Sequence, residues 1–198
     1  MNAEQIHPKG LRSGDEPFTN GQNPLPSKVT VLDFWKWSAS DLLSNIQRGV
    51  VAEFLVGHAL GVVQDSIRTE WDTYDLRTKA GDKIEVKSAA YVQSWYQKKP
   101  SRISWRVKPT RAWDKETNTY EEQSRFQADV YVFCLLGKEN MQSVDPLDVS
   151  QWRFFVMSRS QLGNTRQIGL SKLKSLHPVE ASYGGIEEAI EKSLALRG

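Results

Sequence analysis

A single cysteine, Cys134, stands in the 198-residue chain. One thiol excludes any intrachain disulfide framework and fits a reducing compartment. Its neighbours in Val130–Leu136 are apolar, so we read it as a buried core thiol. That run is the longest apolar stretch and is far too short to cross a bilayer. The N-terminal residues are polar and lack the apolar core of a signal peptide, so the expected location is the cytoplasm, with no membrane partner. The net charge of +2 is too small to announce a nucleic-acid binder, so any such role must rest on where the charge sits. There is no phosphate-binding Walker loop, no Gly-rich dinucleotide fingerprint, no Cys/His zinc spacing and no nucleophile elbow, and there are no internal repeats.

The composition is that of an ordinary globular protein, and the length suits one domain. Residues 1–27 are polar and punctuated by Pro8, Pro17, Pro24, Pro26, Gly10, Gly14 and Gly21. They hold too little apolar area to offset the entropy of ordering, which predicts a flexible arm ahead of a single domain over residues 28–198. Lys28 to Leu32 reads as a short strand. Ser38 and Asp41 form a Ser-x-x-Asp capping signal for a helix from Leu42 to about Leu60, ending near Gly61. Its second half is apolar nearly all round, which predicts a buried helix. Trp35 and Trp37, just before it, are expected in core or interface packing, with base stacking as the rival. His58 reads as a helix histidine satisfied by a hydrogen bond. Glu53 is the lone acid of the buried half, and an unpaired carboxylate there costs several kcal/mol. It is therefore a candidate site residue; the rival readings place it on a narrow exposed stripe or paired with Arg48.

Residues 71–90 read as a β-hairpin with Lys79-Ala80-Gly81 at the turn. Strand alternation sends Ile84 and Val86 to one face and Glu85 and Lys87 to the other. If the loop is three residues, Thr78 faces Asp82, and counting back sets Asp75 opposite Glu85. Asp72 takes the place of Asp75 if the register differs. Opposed Cβ atoms lie about 5 Å apart, where two like charges repel by roughly 3 kcal/mol at an effective dielectric of 20. Lys87 offsets part of this, and a divalent cation would offset more. Hard carboxylate oxygens suit Mg²⁺ or Mn²⁺. The plainer alternative is a surface hairpin with cross-strand charge pairs.

After the hairpin, Arg102, Ser104, Arg106 and Lys108 alternate with Ile103, Trp105 and Val107, which predicts a strand. With Lys98, Lys99, Arg111 and Lys115 they form a basic cluster interleaved with Trp95, Tyr96, Trp105 and Trp113. Cations neutralise phosphates while rings pack on sugars or bases; the alternative is a solvated strand face. A polar turn is expected at 114–123. Phe126–Leu136 reads as a central strand, Gln151–Met157 as another, Ser171–Leu176 as a short helix and Ile186–Leu196 as an amphipathic helix.

Glu53 on a helix, then Asp75 and Glu85-Val86-Lys87 on a hairpin, resembles the PD-(D/E)XK nuclease superfamily over about residues 48–90. That resemblance implies a restriction-endonuclease-like α/β sandwich, a mixed central sheet flanked by helices. It implies hydrolysis of DNA phosphodiesters, with DNA as partner, and such folds often work as homodimers. Asp75, Glu85 and the Val86 carbonyl would then hold Mg²⁺ or Mn²⁺, and Glu53 would hold a second ion or a water. Lys87 would position the attacking water or stabilise developing charge, and Gln93 would orient water or phosphate. The basic residues Lys98, Lys99, Arg102, Arg106, Lys108 and Arg111 would track the backbone. The rival readings are a non-catalytic DNA-binding or assembly subunit on the same fold, and a protein-interaction module.

Overall fold

In a computed structural model, residues 10–64, 66–69, 72–114 and 118–196 are described. Trp71 at the start of the hairpin, Lys115 of the basic cluster and residues 1–9 of the arm lie outside them. In chain order the elements are β1 (Thr19–Asn20), β2 (Asn23–Pro24), α1 (Val31–Ala39), α2 (Asn45–Ala59), β3 (Leu76–Arg77), β4 (Lys83–Ala90) and β5 (Ser104–Arg106). There follow β6 (Trp113–Asp114), β7 (Thr119–Tyr120), β8 (Val130–Leu136), β9 (Trp152–Ser158), α3 (Arg159–Leu162), β10 (Gln167–Gly169), α4 (Leu170–Ser175), β11 (Val179–Ala181) and α5 (Ile186–Ala195).

The fold is mixed α/β. Its central sheet has five strands in the order β11-β9-β8-β4-β3. Only β4 and β8 run parallel, and Glu85 lies beside Tyr131 and Lys87 beside Phe133 in their register. All seven β8 residues are buried, as a strand covered on both faces requires. One face carries Ile84, Val86, Val132 and Phe154 against α2 and α5. The other carries Tyr131, Phe133 and Phe155 against Trp105, Ile168, Leu162 and Leu173. Cys134 is buried, and burial pushes its thiol well above its ordinary value.

The N-terminal third departs from expectation. Helix α1 begins at Val31, so Lys28–Leu32 is not a strand, and only Thr30 bridges to Pro17. Thr30 and Asp33 form the capping box: the Asp33 N–H donates to Thr30 Oγ1 and the Thr30 N–H to Asp33 Oδ2. Ser38 therefore lies inside α1, and α2 starts from its own cap, Ser44, whose Oγ accepts from Gln47 N–H at 3.2 Å. No residue of α1 is buried, and Trp37 is 84% exposed, so neither tryptophan is core. Residues 14–32 are joined by backbone hydrogen bonds, including Phe18 N–H to Val29 O and Leu32 N–H to Gly14 O. Helix α2 is one-sided rather than wholly buried: Ala52 and Val56 face the sheet, while Ile46, Phe54 and His58 are exposed. His58 Nδ1 sits 2.6 Å from the Tyr183 hydroxyl, satisfied as expected.

Gly57 lets the following segment close onto α2. A Cβ built there would lie 2.2 Å from Val63 Cγ1 and 3.1 Å from Leu76 Cδ2. Alanine would gain about 1 kcal/mol of helix propensity, yet overpacking costs about 1–3 kcal/mol. We expect Gly57→Ala to lower stability by about 1 kcal/mol in chemical denaturation; a stabilised variant would show that Val63 moves freely.

Candidate active site

The hairpin folds in the expected register. The Thr78 N–H donates to Asp82 O, the Gly81 N–H to Thr78 O, and Thr78 Oγ1 bonds Asp82 as well. Gly81 has φ +98°, a conformation that favours glycine. Leu76 pairs with Ile84 and Arg77 with Lys83, so Asp75 falls opposite Glu85. Strand β3 is only two residues long, which leaves the edge of β4 open beyond Leu76. There the Asp75 carboxylate accepts the Val86 N–H at 2.7 Å. A strand residue's N–H and C=O point to the same side, so the Val86 carbonyl faces this edge too. Asp72 accepts instead from the Thr69 hydroxyl at 2.7 Å.

Glu85 and Lys87, neighbours on one face of β4, form an ion pair. Asp75 and Glu85 line one cavity of about 240 Å³ with Tyr74, Thr110, Arg111, Trp113 and Tyr120. Glu85 and Lys87 line the next, about 340 Å³, with Ser88, Ser104, Arg106 and Lys108. Asp75 also borders a third, about 540 Å³, walled by Glu53, Val50, Phe54, Arg68 and Arg77. Asp75 thus stands where the clefts of Glu53 and Glu85 meet.

The electrostatics follow from this crowding. Burial, then the Glu85 and Glu53 charges, push the Asp75 carboxyl up to about 7 despite Lys87. Burial works against the Lys87 charge, but Glu85, Asp75 and Glu53 outweigh it and hold the ammonium above its ordinary value. Tyr131, beside Glu85, is raised to about 12 by burial and then by Glu85.

Glu53 is neither on an open stripe nor paired with Arg48. Arg68 grips it with two hydrogen bonds, Nε to Oε2 at 2.5 Å and Nη2 to Oε1 at 3.1 Å. Arg48 is buried and spends its guanidinium on Leu43 O, Asn45 and Gln93. Gln93 is buried with it. Its amide donates to Ala90 O at 2.8 Å and Ser101 Oγ at 3.3 Å, so it ties α2 to the loop after β4 and lines none of the three clefts. Among the described residues no group of three or more His, Cys, Asp or Glu is set to hold a metal ion. What could hold a hard divalent cation is narrower: Asp75, Glu85 and the Val86 carbonyl, where burial first and the neighbouring Glu85 second disfavour a bare Asp75 charge. Arg68 is 41% exposed, so its pair with Glu53 is worth little. Arg68→Ala is expected to change stability by less than about 1 kcal/mol; a loss above 2 kcal/mol on thermal unfolding would show a structural role instead.

The basic strand alternates as expected, with Arg102, Ser104, Arg106 and Lys108 exposed and Ile103, Trp105 and Val107 buried. Only Arg106, Lys108 and Arg111 line the clefts at the carboxylates; Lys98, Lys99 and Arg102 are exposed elsewhere. Sequence alone does not mark Arg68, Arg77, Tyr74 or Tyr120 as residues of these clefts. For Tyr74 and Arg77 the local signal is a cation close in sequence to an aromatic, with Arg77 over the Tyr74 ring at 5.2 Å.

No curated protein and no solved structure matches the chain. A protein-family model described as bacteriophage T4 endonuclease IV matches residues 31–171, a span that includes Glu53, Asp75, Glu85 and Lys87. The match supports a DNA nuclease in general and does not assign the PD-(D/E)XK superfamily. Because it covers most of the sequence, the chain belongs to the bacteriophage T4 endonuclease IV family.

Proposed function

We propose that the chain, a single nuclease-like domain over residues 28–198, hydrolyses DNA phosphodiesters with Mg²⁺ or Mn²⁺ at the Asp75–Glu85–Lys87 edge. The observation that carries this is the register that sets two carboxylates against each other with a half-buried ammonium beside them. Asp75, Glu85 and the Val86 carbonyl would hold the ion, which when bound supplies acidity to water and neutralises phosphate charge. Lys87 keeps its proton throughout and donates toward the reacting phosphate. Glu85 orients that ammonium, and the Val86 N–H fixes the Asp75 carboxylate. Arg111 and Arg106, on either side, bind the flanking backbone.

Purified protein with DNA and Mg²⁺ or Mn²⁺ is expected to cleave, and a chelator to stop it. Glu85→Gln should lower the rate by at least about 10²-fold. Undiminished cleavage in that variant would refute the assignment. That no third acid among the described residues joins Asp75 and Glu85 in a metal-binding group favours one rival, a DNA-binding subunit without catalysis. It would bind DNA in a salt-dependent way and give no cleavage under any divalent ion.

A further inference from the structure

Beyond the cleft of Glu85 and Lys87 lies another cavity, about 500 Å³, lined by Arg106, Lys108, Pro109, Arg166 and Gln167. Arg106 and Lys108 line both, so the two lie side by side. On the other side, Glu85 and Thr110 line both the cleft of Lys87 and the cavity of Arg111 and Tyr120, so the three cavities form a row.

The far end is built from two strands distant in sequence. Strands β5 and β10 pair antiparallel, with Gln167 beside Arg106. The Val107 N–H donates to Arg166 O at 2.9 Å, and the Gln167 amide donates to Ser104 Oγ at 3.2 Å. This pairing sets Arg166 next to Arg106 and Lys108. All three are exposed, no acid lines their cavity, and among the described residues none of them pairs with a carboxylate. Their like charges repel; among the described residues the nearest acid lining a cavity with any of them is Glu85, which shares the adjoining cleft with Arg106 and Lys108 and is itself paired with Lys87. Arg106 ends β5 and Lys108 lies two residues on; in extended chain that is about 6.6 Å, close to the spacing of neighbouring phosphates along a nucleic-acid strand.

From this geometry we infer that Arg106, Lys108 and Arg166 form a clamp for backbone phosphates on one side of the scissile position. Arg166 is the member that sequence does not suggest. The inference rests on the nuclease reading for the location of the scissile position, but the clamp itself is tested by binding alone. Arginine suits the role because its planar fork grips phosphate oxygens in pairs.

The test is fluorescence anisotropy of a labelled DNA oligonucleotide across a salt series, in EDTA with the wild-type chain and in Mg²⁺ with Glu85→Gln. Arg166→Ala is expected to weaken binding and to reduce the magnitude of the log K against log salt slope by about 0.7–0.9, one phosphate contact. Arg166→Lys should restore the slope more than the affinity. Lys138→Ala removes an exposed lysine that lines none of these cavities and should leave the slope unchanged. In cleavage, Arg166→Ala should raise KM with kcat retained. If Arg166→Ala keeps the wild-type slope while DNA still binds, the clamp is wrong and the nuclease reading stands. If no DNA binds under either condition, both fall.

Discussion

Replacing Lys87 by alanine is expected to lower kcat for DNA cleavage by about 10²–10³-fold while affinity for DNA changes little. Among the described residues, the lysine is the cation that pairs with Glu85 on the face that opens to the cleft. Half-buried, it acts in a medium of lower dielectric than water, where a charge aimed at a developing oxyanion is worth several kcal/mol. Three carboxylates hold its proton above the ordinary lysine range, so it remains a donor at any working pH. On the proposed clamp, binding of the backbone would fall to Arg106, Lys108 and Arg166 instead. Single-turnover cleavage alongside anisotropy separates the two effects. A variant with full kcat would remove Lys87 from the chemistry.

The second large effect is on stability. In the folded chain the Asp75 carboxyl titrates near 7, against an ordinary value of 3.8. Between these two the folded state holds a proton that the unfolded state has released. Stability is therefore highest below about pH 4 as far as this group is concerned, and it falls as pH rises toward 7, by up to about 4 kcal/mol. Without divalent ions the protein is expected to melt at a lower temperature at pH 8 than at pH 5. Asp75→Asn keeps an acceptor for the Val86 N–H and removes the charge, so it should flatten this dependence and raise the melting temperature at pH 8. Mn²⁺ should do the same for the wild type and little for the variant, since ligand binding to the native state stabilises by mass action. A wild type equally stable at both pH values would show that burial and Glu85 do not hold the Asp75 carboxyl above its ordinary value.

The hairpin is legible in sequence because its determinants are local. The Thr78–Asp82 contact and Gly81 fix the turn, the turn fixes the register, and alternation then decides which side chains share a face. The buried strand 130–136 is legible for the same reason. What escapes the sequence is set by contacts between distant segments. Glu53 looks unpartnered on its helix, yet its partner Arg68 comes from a loop fifteen residues on. Arg166 joins Arg106 only because β10 pairs with β5, some sixty residues apart. Gln93 lies close behind the Glu-x-Lys arm in sequence, but buried Arg48 needs an acceptor and takes it. Helix α1 does carry a readable signal, the Thr30-x-x-Asp33 box, which competes with the equally plausible Ser38-x-x-Asp41 and wins because Ser44 serves α2.

The measurement that bears most directly on the site is calorimetric titration of the metal-free protein with Mn²⁺. The wild type should bind with measurable heat, and Asp75→Ala and Glu85→Ala should abolish that heat while remaining folded. Equal Mn²⁺ binding in wild type and both variants would contradict a divalent site at the Asp75–Glu85 edge.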